Sequence, residues 1–169
     1  MSETDKTLHS IGIRTELKPG DLGYVIYRHG KLYGEEYSYG VSFEMYVALG
    51  IDEFYKKYNP ELDRVWICED NEKIIGFLLL MNRGNNTAQL RYFYIDAEYR
   101  GAGLGKKLME LFMEFLKDKG YQSCYLWTTH EQQTAAALYK RWGFKLTEEK
   151  QSTAFGKPLT EQRYNLIVK

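Results

Sequence analysis

Phe93-Tyr94-Ile95-Asp96-Ala97-Glu98-Tyr99-Arg100-Gly101-Ala102-Gly103-Leu104-Gly105-Lys106 is the stretch on which the reading of this 169-residue chain turns. An apolar run suited to a strand enters a turn with glycines at three alternate positions, and an amphipathic helix begins at once. Such a turn presents several backbone N–H groups to one anion, because glycine tolerates close approach and unusual φ/ψ. The helix start adds about half a positive charge at the same point. Arg100 and Lys106 stand where they add full charges. The segment therefore predicts a phosphate or pyrophosphate site, although the spacing alone leaves open a tight strand-to-helix turn and nothing more.

Two familiar phosphate loops do not fit. A nucleotide-binding Walker loop needs glycine where Arg100 stands and Ser or Thr where Lys107 stands. The dinucleotide fingerprint needs glycine at 106, where the chain has lysine, and a parallel βαβ unit that the strand order does not suggest.

Outward from this point the pattern is mixed α and β. Leu104, Leu108, Leu111, Phe112, Phe115 and Leu116 share one helix face, and Gly120 ends that helix. Upstream, 64–69, 73–81 and 89–95 read as a meander with turns at Asp70-Asn71-Glu72 and Arg83-Gly84-Asn85-Asn86. Before the meander, 11–16 reads as a short strand and Pro19-Gly20-Asp21 opens a first helix. Ser42 reads as the N-cap of a second helix that Gly50 weakens and Asn59-Pro60 stops. Downstream, 123–128 is a strand, Thr129 and Gln132 form a capping box for a short helix ended by Gly143, and 144–147 pairs with 163–168. The expected fold class is α+β, a mixed, mainly antiparallel twisted sheet flanked by helices. Residues 1–10 read as a flexible arm and 11–169 as one domain.

Composition narrows the function classes. With 23 basic and 23 acidic residues the chain offers no bulk charge for nucleic acid. Its longest apolar run, Ile74 to Met81, is too short to span a bilayer. Cys68 and Cys124 lie far apart in apolar stretches and suggest neither disulfide nor metal site. A soluble cytoplasmic protein without a bound metal is expected.

Arg100-x-x-Gly103-x-Gly105, between an apolar strand and a long helix, resembles the coenzyme A signature of the GNAT acetyltransferases. A second element, Ala135-Ala136-Ala137-Leu138-Tyr139-Lys140-Arg141-Trp142-Gly143-Phe144, follows at the distance that family shows. With Leu126-Trp127-Thr128-Thr129 between them, the segment from Gln89 to Phe144 looks like the GNAT modules found alone or fused to MarR-type regulators. The resemblance extends more weakly to Arg28-His29-Gly30-x-Leu32-Tyr33.

The resemblance implies the GNAT fold, acetyl-coenzyme A as donor cosubstrate, and direct acetyl transfer to a primary amine of a small molecule, amino acid or peptide. It implies that pantetheine adds to the strand edge at Phe93, Tyr94 and Ile95, with an oxyanion site near Ile95. The pyrophosphate is expected on Arg100, Gly101, Ala102, Gly103, Leu104, Gly105 and Lys106. Gln132, Ala135 and Leu138 complete the cofactor wall. Tyr139 matches the family tyrosine whose hydroxyl lies near the sulfur, where a departing thiolate needs a donor. Gln132 stands where many members have asparagine, and Ala97 where many have proline. A homodimer is compatible with the family.

No motif assigns the acceptor side. Glu35, Glu36 and Glu44 fall in the variable helical region, each also readable as a solvated charge. Glu44 is the favoured base because it lies near the start of a helix with an aromatic face. His29 reads as a second choice of base or as a hydrogen-bonded structural histidine, and His130 as a surface residue at a helix start. Eight of the 15 tyrosines fall between Tyr24 and Tyr58, as an acceptor-side aromatic wall or as packing. The alternative function is a non-catalytic acyl-coenzyme A sensor or interaction module, and a nucleotide-phosphate enzyme using the same turn is a third reading.

Overall fold

The computed structural model describes residues 10–169. Of the expected N-terminal arm, residues 1–9 lie outside the described residues. The chain runs β1 (Gly12–Arg14), α1 (Asp21–Tyr37), α2 (Val41–Lys56), β2 (Arg64–Asp70), β3 (Lys73–Asn82), β4 (Thr87–Ile95), α3 (Leu104–Asp118), β5 (Ser123–Thr129), α4 (Gln133–Arg141), β6 (Lys145–Ser152) and β7 (Leu159–Ile167). The seven strands form one sheet in the order β1-β2-β3-β4-β5-β7-β6.

Helices cover both faces of this sheet, which explains the apolar run in β3. A strand buried on both sides has no polar face, so Ile75 and Phe77 through Met81 are all buried. Leu78 and Leu80 pack with Leu104, Leu108, Phe112 and Tyr164 on the α3 side. Phe77 and Leu79 pack with Val25, Val47, Ile51 and Phe54 on the α1–α2 side. Each such side chain contributes about 1.5–3 kcal/mol by leaving water.

The turns behave as their residues dictate. Asn71 and Glu72 join β2 to β3 with φ of 50° and 66°. Gly120 follows α3 with φ 73°, where its N–H reaches Lys117 and that of Tyr121 reaches Leu116, a Schellman closure.

Four local expectations need correction. The residue that caps α2 is Gly40, not Ser42, which lies inside the helix. The Gly40 carbonyl accepts from Phe43 N–H, while its own N–H donates to the Phe155 carbonyl, so the helix start is set by a distant loop. Thr129 and Gln132 do not make a capping box. Thr129 is the last residue of β5, and its hydroxyl is held at 2.6 Å by that of Tyr39. The βαβ unit read as absent is present: β4 and β5 are parallel, with α3 as the crossover between them. The β6–β7 pair is also much longer than the two short strands expected.

Gly50, expected to weaken α2, is instead required by packing. It is buried, and an added Cβ would collide with the Tyr92 hydroxyl and lie 2.6 Å from the Arg91 guanidinium. Alanine in a helix interior ordinarily stabilises by about 1 kcal/mol relative to glycine. At this position Gly50→Ala is expected to destabilise by about 1–3 kcal/mol, read as a lower urea midpoint. An unchanged or higher midpoint would show that α2 does not rest on Tyr92.

Candidate active site

The site begins where two parallel strands part. β4 pairs with β5 only through Thr87↔Ser123, Ala88↔Cys124 and Gln89↔Tyr125. β5 continues to Thr129 against β7, whereas β4 continues to Ile95 against β3 alone. The divergence follows a bulge. Between the pairs Leu79↔Arg91 and Phe77↔Tyr94, Tyr92 and Phe93 oppose the single residue Leu78. Tyr92 takes the left-handed φ of 57°, unusual for a side-chain-bearing residue and of the kind that bends a strand. From Leu90 onward the β5-facing edge of β4 has no strand partner among the described residues.

Where the strands have parted, the end of β4 faces α4 (Gln133–Arg141) across a cleft of about 540 Å³. Phe93, Tyr94 and Ile95 form one wall. Gln132, Ala135, Leu138 and Tyr139 form the opposite one. Arg100, Gly101, Gly103, Gly105 and Lys106 line its mouth. Two of the expected cofactor residues are not in this lining: Ala102 is exposed on the turn, and Leu104 sends its side chain into the α3-side core. Gly101 and Gly103 have φ of 81° and 86°, and nothing lies within 4 Å of a Cβ on Gly101. A Cβ on Gly105 would point among Ile95, Phe93 and Leu138, into the cleft. The mouth is thus backbone and open space at the N-terminus of a 15-residue helix.

Its cations are held differently. The Arg100 Nε–H donates to the Ile95 carbonyl at 2.9 Å, and its Nη2 meets Glu36 at 2.8 Å. Lys106 is exposed, with Glu110 at 4.0 Å, a contact too long and too wet to occupy it. The residues present therefore fit a diphosphate attached to an extended amide-bearing arm: amides and a helix start at one end, an unpaired strand edge behind it.

Tyr139 is placed by the end of its own helix. Gly143 (φ 94°) closes α4 with its N–H on Lys140 and that of Phe144 on Tyr139, and the Phe144 ring packs 6.1 Å from the Tyr139 ring. The Tyr-x-x-Trp-Gly-Phe spacing is the requirement of this Schellman turn. Burial pushes the Tyr139 phenol well above its usual range, so it stays protonated and can only donate or relay.

Beyond Tyr139 lies a second cavity of about 90 Å³. Tyr33, Phe93, Gln132 and Tyr139 line both spaces and form the passage between them. Phe43, Tyr46, Trp127 and Phe155 supply apolar walls, and His29, Arg91 and Glu161 supply polar groups. Tyr33 and Tyr46 are the two of the eight clustered tyrosines that reach this cavity. Tyr37 lines the larger cleft, and Tyr39 holds Thr129.

The base favoured from sequence, Glu44, does not line this cavity. Its carboxylate lies over Gly30 of α1, in the space a Cβ there would take, because α1 and α2 pack at that glycine. Glu35 pairs loosely with Lys31, and Glu36 lines the larger cleft, paired with Arg100. The carboxylate in the cavity is Glu161, which sequence reading missed. It lies across the β5–β7 ladder from Thr129, and no local motif marks such a position. It is 8% exposed, with no hydrogen bond or ion pair among the described residues. His130 is structural, its Nδ1 accepting from Thr160 N–H at 3.1 Å.

His29 does reach the cavity. Its Nδ1 lies 2.9 Å from the Val25 carbonyl, which can only accept, so the proton is on Nδ1 and Nε2 keeps its lone pair. Stacking on Tyr33 and edge contacts with Tyr92 and Tyr94 exclude water from it. Burial lowers its pKa to about 4.

A profile of the family described as "Acetyltransferase (GNAT) family" matches residues 26–144. N-acetyltransferase 8 of Homo sapiens is 30% identical over 110 residues, covering 62% of this chain and 48% of that protein. The chain spans about half the length of the curated relatives it matches. A GNAT-family acetyltransferase from Staphylococcus aureus Mu50 shares the fold, with a TM-score of 0.76, 20% identity, and coverage of 94% of this chain and 99% of that one. A GNAT-family acetyltransferase from Elizabethkingia anophelis with acetyl-CoA bound shares it too, with a TM-score of 0.65, 15% identity, and coverage of 94% and 98%.

A histidine whose folded pKa lies below its unfolded value binds fewer protons when folded, so stability falls as pH drops from about 6.5 toward about 4. The loss from His29 between pH 7 and pH 5 is about 2 kcal/mol, or roughly 4–8 °C in Tm. Thermal melts of His29→Gln are expected to show a shallower decline over this range than the unsubstituted protein. Parallel declines would mean that His29 is not held neutral.

Proposed function

The chain belongs to the GNAT acetyltransferase family, and from that premise we propose that it transfers acetyl from acetyl-coenzyme A directly to a primary amine. The observation that carries this reading is the unpaired edge of β4. It ends in the glycine turn and opens, past Tyr139, onto a cavity holding a carboxylate. Acetyl-coenzyme A would supply the acetyl group as a thioester. Main-chain groups of Phe93, Tyr94 and Ile95 would take its amide-bearing arm. The amides of the Arg100–Lys106 turn would take its diphosphate, with Lys106 as an uncommitted cation. The relative with acetyl-CoA bound has the same fold, which supports this assignment.

The protons can be followed. A protonated amine loses one proton to Glu161 and gains a nucleophilic lone pair. Its nitrogen bonds to the acetyl carbon as the C–S bond breaks and the electron pair leaves on sulfur. The second nitrogen proton ends on sulfur. Outright donation by Tyr139 is uphill, because a buried phenol is a weaker acid than a thiol. Tyr139 therefore donates a hydrogen bond to the leaving sulfur and relays that proton. Most of the acceleration comes from holding two reactants on either side of one tyrosine.

Calorimetric titration with acetyl-coenzyme A, paired with thiol release in the presence of a panel of amines, tests this reading. Gly103→Glu is expected to lose at least about 100-fold in affinity, because it puts a negative side chain at a left-handed position in the diphosphate cradle. Tyr139→Phe is expected to lower kcat by about 10²-fold while leaving that affinity within about twofold. Undiminished binding to Gly103→Glu would overturn the cradle, and tight binding with no amine-dependent thiol release would mark a sensor instead.

A further inference from the structure

We infer that the acceptor is a small zwitterion, a free α-amino acid with a short apolar side chain, whose carboxylate is received by Arg91 and whose ammonium is received by Glu161. This rests on the acetyl-transfer reading above and specifies the substrate class of that site.

The inference starts from two charges without partners. Three half-buried arginines of this fold meet carboxylates: Arg14 pairs with Asp21 and Glu69, Arg28 with Asp96, and Arg83 with Glu53, whereas Arg64 and Arg163, like Arg91, lie over rings, on the far side of the sheet and on β7. Arg91 lies over the Tyr92 ring at 4.6 Å and near the Tyr46 ring at 5.8 Å, but has no hydrogen bond or ion pair among the described residues. Glu53 feels its charge but is already hydrogen-bonded to Arg83. Ring faces hold a guanidinium in place without using its N–H donors, so a fork for a carboxylate stays available. Glu161 is the converse, a buried carboxylate with no partner among the described residues. The neighbouring acid Glu131 takes Lys157 at 2.8 Å, which leaves that lysine committed elsewhere. Charged groups facing apolar walls are costly unless something pairs with them.

The sheet puts both charges on one face. Gln89 accepts from the Tyr125 hydroxyl, so these two side chains share a face, and Arg91 is two residues further along β4. Trp127 and Thr129 follow Tyr125 on that face of β5, and Glu161 is registered opposite Thr129 on β7. Arg91 and Glu161 thus stand on strands either side of β5, at least about 10 Å apart by strand spacing, with β4 already parting from β5 and a two-residue offset along the strands. Both line the cavity that opens at Tyr139. Side chains reaching inward from that separation leave room for a short ligand with its two charges close together. Phe43, Tyr46, Trp127 and Phe155 leave apolar space for its side chain.

Other amines fit less well. A polyamine would bring a second positive charge toward Arg91. A peptide N-terminus carries its carboxylate far from its ammonium and would leave the guanidinium fork unfilled. Both discriminations follow from leaving a charged group unpaired.

Matched acceptor triplets of a size suited to the cavity test the inference: alanine, alaninamide and ethylamine, with the valine series beside them. The free acid is expected to exceed the amide and the decarboxylated amine by at least about 30-fold in kcat/KM, the scale of one charge-assisted pair. Arg91→Gln is expected to reduce that preference below about threefold through KM, with acetyl-coenzyme A affinity unchanged. Arg91→Lys, which keeps the charge without the fork, is expected to retain part of it. Equal use of acid, amide and amine by the unsubstituted protein would overturn the inference while leaving acetyl transfer standing. So would an Arg91→Gln loss of equal size for all three acceptors. Failure to bind acetyl-coenzyme A would overturn the acetyl-transfer reading itself, and the inference with it.

Discussion

The constraint on which the rest depends is that β4 cannot stay paired with β5 beyond Gln89. A bulge at Tyr92–Phe93 turns β4 away while its other edge remains on β3. An unpaired strand edge inside a protein must be satisfied by something, and water or an extended ligand arm are the candidates a wedge-shaped cleft admits. The glycine turn follows within a few residues because β4 must deliver the chain to the N-terminus of α3. Cleft and glycine turn are therefore consequences of one divergence.

That divergence has to be held open. Tyr92 sits in a backbone conformation that costs of order 1 kcal/mol or more. Its ring is wedged between Arg91, His29 and the glycine face of α2. Gly50 and Gly30 let α2 and α1 come close enough to supply that wedge. The same contacts keep His29 dry and neutral and leave Arg91 lying over rings with its donors uncommitted. The packing that supports the bulge and the electrostatics of the second cavity are thus one arrangement.

Much of the cleft's local structure was legible in sequence because its information is local. Glycines at 101, 103 and 105, a helix start at Leu104, and the Tyr139-to-Phe144 spacing each describe a few consecutive residues whose backbone geometry they dictate. The misreadings all came from partners distant in the chain. Ser42 is a good capping residue, but the Phe155 carbonyl selects Gly40. Thr129 and Gln132 have capping-box spacing, but Tyr39 claims the threonine hydroxyl from 90 residues away. The parallel β4–β5 pair was missed because flanking helices and hairpins look alike whichever way the next strand docks.

Sequence by itself determined the α+β class, the strand-glycine turn-helix unit, the turn that closes α4, and the family. These follow from periodicity, glycine stereochemistry and short spacings, which act within one or two elements. Only the tertiary structure decided which carboxylate faces the second cavity, and that Arg91 shares it. Glu44 and Glu161 are indistinguishable as isolated glutamates. What separates them is that α2 turns one toward Gly30 of α1, while the β5–β7 register sets the other beside Thr129. Position across a sheet is fixed by pairing and packing together, and neither is written in the neighbours of a residue.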